Sequence, residues 1–287
     1  MITTDKLIIT VCPCGSFMTK KHNPNMPIQP DEIAEEVYRA WNEGASIAHI
    51  HARDKEGGAT TDPEVFREIG RLIRDKGCDI ILEHSTSPGR GLEASIEDGF
   101  LSLEAGPEMA SLDIGVSVIT AAEDQPRLWT RSFTERLARA MQEKGVKPEF
   151  ELFTSGAFVE TDYLINQGLS AKPHWFSFAL DMQRTVQHVT PYSPRTLMYF
   201  VDMLPAEAMF STMGIGASET PAVIQSMLLG GHARVGFEDN LMYSRGVLAR
   251  SNAELVARVA RIGKELGRAV ATPEETRDLL GLPRLKK

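Results

Sequence analysis

The chain has 287 residues, 42% of them hydrophobic, and a formal net charge of −8. This is enough chain to bury a large core in one big domain or two ordinary ones, and the acidic balance, with no basic run before the terminal "RLKK", argues against a nucleic-acid partner. No apolar run approaches the roughly 20 residues that span a bilayer, and "MITTDKLIIT" lacks the basic start and long apolar segment of a secretory signal.

Short β-rich runs alternate along the chain with amphipathic helical segments. "LIITVCP" (7–13) opens the series. Cys12 and Cys14 fall at its end; "CPC" is too tight for an easy bridge and, with Cys78, leaves no disulfide framework, so a reducing, cytoplasmic location is expected. "PDEIAEEVYRAWNEG" is a helix started by Pro30-Asp31 and stopped by Gly44. "SIAHIHAR" (46–53) is the second strand, and "DPEVFREIGRLIRDKG" repeats the helix design from Asp62-Pro63 to Gly77. "CDIILEHS" (78–85), "MASLDIG" (109–115) and "PEFELFT" (148–154) follow, with the helix "SFTERLARAMQEKG" ending at Gly145. "WFSFAL" (175–180) and "AMFSTMGIG" (208–216) come next, then the helix "TPAVIQSMLLGG" from Thr220-Pro221. "HARVGFED" (232–239) is the eighth strand, and "SNAELVARVARIGKELG" runs from Ser251 to Gly267. The pattern ends in "ATPEETRDLLGLP", a short helical extension at about 272–283.

Eight strands, each followed by a helical or loop-helix segment, predict parallel βαβ units and a single-domain (β/α)₈ TIM barrel over residues 1–287. An open doubly wound sheet is the alternative, but no G-x-G-x-x-G follows the first strand. In a barrel, chemistry collects at the C-terminal ends of the strands. His49 and His51 stand two apart on strand two and share a face, as do Arg234, Gly236 and Glu238 on strand eight, which neighbours strands one and two on closure. Two imidazoles and a carboxylate suit a catalytic zinc with one open position, although iron, manganese or cobalt would also fit. An inward Arg234 needs an anion, either Glu238 and Asp239 or a substrate carboxylate. Ser85 and Thr86 before Pro88-Gly89, Ser111 and Asp113 on strand four, Glu149 and Glu151 on strand five, and the small Gly214 and Gly216 all suit the lining of a ligand site. His22, His174, His188 and His232 read as surface, capping or packing residues.

"PxG" after strand one, "AHIHARD", "ST", "PEMASLDIG", "PEFELFTSG" and "GGHARVGFEDNLMYSRG" together resemble the β-keto acid cleavage enzymes, relatives of 3-keto-5-aminohexanoate cleavage enzyme, from about Leu7 to Leu280. The resemblance implies a homotetrameric (β/α)₈ barrel with one Zn²⁺ per chain. It also implies a retro-Claisen-type reaction in which a β-keto acid and the co-substrate acetyl-CoA give acetoacetate and a new acyl-CoA. Carried over motif by motif, His49, His51 and Glu238 would be the metal ligands. Ser85 and Ser111 would help hold the substrate, with Ser111 standing where threonine is usual. Arg234 and Asp239 would form the activating pair, with Asp239 as the base. Phe17 stands where the aminohexanoate enzyme carries a glutamate suited to an amino group, so a substrate lacking that amine is expected. His84 replaces a commonly apolar residue, and "DMQRTVQHVTPYSPR" replaces a glycine-rich loop, leaving open whether Arg184 or His188 reads a second polar group. The competing expectations are a zinc-dependent lyase or hydrolase that needs no CoA, and a metal-dependent binding barrel without turnover.

Overall fold

The computed structural model of the chain describes residues 1–88, 95–119, 124–182 and 186–285. Eight parallel strands close into a barrel: β1 (Ile9–Val11), β2 (Ile47–Ile50), β3 (Ile81–His84), β4 (Met109–Asp113), β5 (Lys147–Leu152), β6 (His174–Leu180), β7 (Ala208–Gly214) and β8 (His232–Val235). They lie in chain order around the ring, and β8 returns to β1 through Ala233↔Ile9, Arg234↔Thr10 and Val235↔Val11. The fold is the expected (β/α)₈ TIM barrel. The helices are α1 (Pro30–Asn42), α2 (Pro63–Asp75), α3 (Gly99–Ser102), α4 (Arg131–Lys144), α5 (Ala157–Asn166), α6 (Pro194–Asp202), α7 (Glu219–Leu228), α8 (Asn252–Glu265) and α9 (Pro273–Leu280). Among the described residues no helix is long and apolar enough to cross a membrane.

Local chemistry explains the helix boundaries. Asp62, Thr130, Ser193, Ser251 and Thr272 each accept a main-chain N–H of the following first turn, and proline occupies the first turn of α1, α2, α6 and α9. Strand alternation splits the core. Leu7, Ile9, Val11, Ala48, Ile50, Ala233 and Val235 face α1, α2, α7 and α8, while Leu112, Phe150, Leu152, Phe176 and Phe178 face α4 to α6. The opposite face of the strands fills the barrel. At its lower end Ile8, Ile47, Ile81, Met109, Trp175 and Met209 pack on Leu280 and Leu282, so α9 closes the floor. Above them the interior turns polar, with Glu83, Glu149, Ser177, Ser211 and Arg234 buried.

The strands run shorter than the β-rich runs suggest. Residues 236–239 leave the ladder as a turn in which the Asp239 and Asn240 N–H groups both return to the Gly236 carbonyl. Glu238 and Asp239 therefore sit on a loop rather than on a strand face. Residues 115–119 and 125–129 form an antiparallel hairpin that pairs with Val186–Gln187, a small sheet that the sequence reading, with strand four ending at Gly115, did not expect. Gly89 and Arg184 lie outside the described residues.

Candidate metal centre

β2 carries His49 inward, and His51 follows on the same face. The β8 loop brings Glu238 over from the neighbouring side of the barrel. His49 Nε2 and His51 Nε2 lie 3.2 Å apart, and Glu238 Oε1 is 3.9 Å and 3.3 Å from them. The far nitrogens are both engaged: His49 Nδ1 lies 2.6 Å from Glu83 Oε1, and His51 Nδ1 lies 2.8 Å from Ser16 Oγ. With Nδ1–H donating to Glu83, the lone pair of His49 Nε2 points at the other two donors. Two imidazole nitrogens and a carboxylate oxygen converge on one point, and Glu238 Oε2 is buried with no hydrogen-bond partner among the described residues. A buried acceptor set of this kind is stabilised by a cation, and its donor chemistry fits zinc. A second set, His49, Glu83 and Glu149, also has three ligand atoms within 4.8 Å of one another. It lies deeper, where burial pushes the Glu83 carboxyl up to about 7 and that of Glu149 well above its ordinary value.

The charges around the centre are strongly coupled. Arg234 is 2% exposed and donates from Nε to Asp239 Oδ2 (3.2 Å), from Nη1 to Glu151 Oε1 (2.6 Å) and from Nη2 to Glu238 Oε1 (2.7 Å). Burial works against its charge, but Asp239, Glu238 and Glu151 outweigh burial and raise its pKa well above the ordinary value. Burial pushes the Glu238 carboxyl up, yet His51, Arg234 and His49 together bring it well below the usual range. The His51 pKa is lowered, burial prevailing over Glu238. Asp239 is raised by burial against the pull of Arg234, and its Oδ2 also accepts the Cys12 thiol at 3.0 Å. Cys12 is kept a thiol by burial and by Asp239, and all three cysteines are free. Asp113 is pushed well up by burial and by Glu151, with which it shares a hydrogen bond, while Arg234 brings Glu151 down against burial.

Other side chains singled out in the sequence are accounted for as follows. Ser85 Oγ accepts the Ser87 N–H at 3.1 Å, and Ser87 Oγ donates to Asp113 Oδ2 at 3.3 Å. Thr86 N–H donates to Ser111 Oγ (3.1 Å) and Thr86 Oγ1 to the Ser111 carbonyl (2.8 Å), so these two hydroxyls join the ends of β3 and β4. Phe17 packs with Phe153, Met182, Ile119, Val186 and Val189 in a small apolar cluster. Gly214 corrects an expectation: a Cβ there would be driven into the Ser218 carbonyl, so the chain's own turn, rather than a ligand, fills that space. Gly216 donates its N–H to the Asp239 carbonyl at 2.8 Å. His84 turns outward, its Nδ1 3.1 Å from the Ser102 carbonyl and its ring over Phe66, and His188 is exposed. His174 and His232 are buried packing residues, as expected.

The sequence reading did not assign Glu83, Ser16 or Cys12 to the site. It also missed the buried supports of the β8 loop. Asn252 Oδ1 accepts the Phe237 N–H at 2.8 Å, and Glu219 accepts from Asn240 at 3.3 Å and Arg258 at 2.9 Å. Glu83 alone carried a signal, an acid on the inward face of an otherwise apolar strand.

A family model described as beta-keto acid cleavage enzyme matches residues 6–282. The chain is 38% identical over 281 residues to the 3-keto-5-aminohexanoate cleavage enzyme of Fusobacterium nucleatum, covering 97% of this chain and 98% of that protein. It is 32% identical over 287 residues to the 3-oxoadipate:acetyl-CoA acetyltransferase of Cupriavidus necator, covering 99% and 97% respectively. Among solved structures, the binary complex of ObcA with oxaloacetate superposes with a TM-score of 0.74 at 21% identity over 90% of this chain and 68% of that one, a likeness of fold.

Proposed function

The chain belongs to the beta-keto acid cleavage enzyme family, and from that premise we propose that it transfers the acyl part of a β-keto acid to CoA at one zinc ion. The observation that carries the reading is the convergence of His49, His51 and Glu238 beside the buried Arg234–Asp239 pair. When bound, zinc supplies Lewis acidity for a ketone and the enolate-like charge beside it.

The chain's own groups supply the rest. Asp239, aimed by Arg234 and Cys12, takes the proton from C2 of the keto acid. C2 then forms a bond to the acetyl carbonyl carbon and the CoA thiolate leaves. The thiolate adds to the original ketone, the C2–C3 bond breaks, and acetoacetate and the new acyl-CoA depart, the proton on Asp239 returning to C2 of acetoacetate. Arg234 stays charged among its carboxylates and holds Glu238 and Asp239 in place beside the substrate. Ser85, Thr86, Ser111 and Asp113 line the strand ends where that substrate would lie, and Gly216 shapes the opposite wall.

Phe17 favours a substrate without a primary amine, because its apolar cluster offers an ammonium group no counter-charge. This separates the chain from the relative named for 3-keto-5-aminohexanoate. A homotetramer in the cytoplasm belongs to the same reading, and light scattering at the mass of four chains would support that assembly.

The test is a panel of β-keto acids with amino, carboxylate and alkyl ends, with and without acetyl-CoA, followed by mass analysis of CoA esters. New acyl-CoA and acetoacetate formed only with acetyl-CoA support the reading. Consumption of keto acid without acetyl-CoA supports a CoA-independent lyase instead, and a clear preference for the amino substrate overturns the role given to Phe17.

A further inference from the structure

Beneath the metal ligands lies a line of buried polar groups that the proposed reaction does not use. His49 Nδ1 is 2.6 Å from Glu83 Oε1, and His49 and Glu83 are 1% and 0% exposed. Glu149 lies close by, with a ligand atom each of His49, Glu83 and Glu149 within 4.8 Å of one another. Glu149 Oε1 accepts the Trp175 indole N–H at 2.8 Å, and Trp175 is wedged into the apolar floor with Met209 and Leu280. The line runs from the Trp175 indole N–H through Glu149 and Glu83 to His49 Nδ1.

We infer that Glu83 is a positioning residue for the metal site, fixing His49 as the Nδ1–H tautomer so that Nε2 presents its lone pair beside His51 and Glu238. The reasoning is geometric. An imidazole on a short strand can rotate about its side-chain bonds and exchange tautomers, and either change removes Nε2 as a donor. A carboxyl acceptor held on Nδ1 fixes the ring plane and the tautomer together and strengthens the donor nitrogen. His51 has only the neutral hydroxyl of Ser16 in that place. The two histidines are therefore unequal: His49 is pre-set by a buried carboxyl group within the barrel, while His51 is held by a hydroxyl on the loop after β1. This inference rests on the proposal that His49 and His51 hold a metal.

The experiment measures zinc affinity of the full-length protein by competition with a fluorescent chelator, and records imidazole nitrogen shifts of the zinc-free protein by NMR. In Glu83→Leu we expect zinc affinity at least about tenfold weaker than wild type, together with a shift of one histidine away from the Nδ1–H form. Glu83→Gln, which keeps the volume and one acceptor, should fall between Glu83→Leu and wild type on both readouts, and stands in if Glu83→Leu does not fold. Ser16→Ala should weaken zinc binding less than either. A folded Glu83→Leu or Glu83→Gln protein that binds zinc as tightly as wild type, through a metal site abolished by His49→Ala or His51→Ala, overturns the inference and leaves the metal reading intact. Wild-type protein that binds no zinc overturns both.

Discussion

At the scale of single residues, the site is governed by one buried cation among several acids. Arg234 is shared by Glu151, Glu238 and Asp239, so removing Arg234 leaves the acids uncompensated in the barrel. Asp239 is the group proposed to move a proton, and Asp239→Asn should lower kcat by about 10²–10⁴. Zinc content, measured by atomic absorption, should stay at wild-type level; loss of the metal with the activity would make Asp239 a structural support of Glu238 instead. His232 gives a pH dependence of a different kind. It accepts the Ile8 N–H at 3.1 Å, lies beside Trp175, and is pushed down to about 3 by burial and then by Arg268. An unfolded histidine titrates near 6.5. Between those values the unfolded chain binds the proton and the folded chain does not, so stability falls as pH drops from about 6.5 toward 3. In His232→Gln the slope of unfolding free energy against pH in that window should be shallower, by up to about 1.4 kcal/mol per pH unit. An unchanged slope by denaturant titration would assign the acid sensitivity to other groups.

At the scale of elements, the barrel strands were legible because their residues alternate strongly enough to show both faces. His49 and Glu238 could be paired across the chain because consecutive strands of a parallel barrel are neighbours and the last meets the first. The hairpin at 115–119 and 125–129 was not legible: the strand-four run ends at Gly115, and the buried Ser117 and Ile119 face partners that only the folded chain brings together. The inward glutamates were visible as inward, but Glu83 could not be matched to His49, nor Glu151 to Arg234, because only the closed ring brings together residues 34 and 83 positions apart. The β8 loop is the element on which function turns. Gly236 has φ +154, and a Cβ there would be driven into the Cys12 carbonyl, itself the acceptor of the Glu238 N–H at 3.2 Å. That carbonyl is main chain at the end of β1 and has nowhere to retreat. Gly236→Ala should therefore cost about 2–5 kcal/mol of stability and displace Glu238, weakening zinc binding. A variant with wild-type melting temperature and zinc affinity would contradict the role given to this glycine.

At the scale of the whole molecule, the barrel separates stability from chemistry along its axis. The floor is apolar and closed by α9, whose Arg277 donates to Glu108 at 2.6 Å and 2.9 Å and to the Asp79 carbonyl at 2.8 Å. The mouth carries the acids, the histidines and the imported loops. We take residues 1–287 as one folding unit, since the C-terminal helix plugs the same barrel that the first strand closes. Leu280→Ala should then lower stability by about 2–5 kcal/mol with a single unfolding transition, and should leave zinc affinity unchanged. A separate early transition would show that α9 melts independently of the barrel.

The central claim is that the chain joins two carbons of a β-keto acid to the acetyl group of acetyl-CoA. Its most direct test is to supply acetyl-CoA labelled with carbon-13 in the acetyl group to the zinc-loaded enzyme and an alkyl β-keto acid. The account predicts acetoacetate labelled at C3 and C4, unlabelled at C1 and C2, and an unlabelled new acyl-CoA in equal amount. Acetoacetate without label, or keto acid consumed while the label stays in acetyl-CoA, would contradict it.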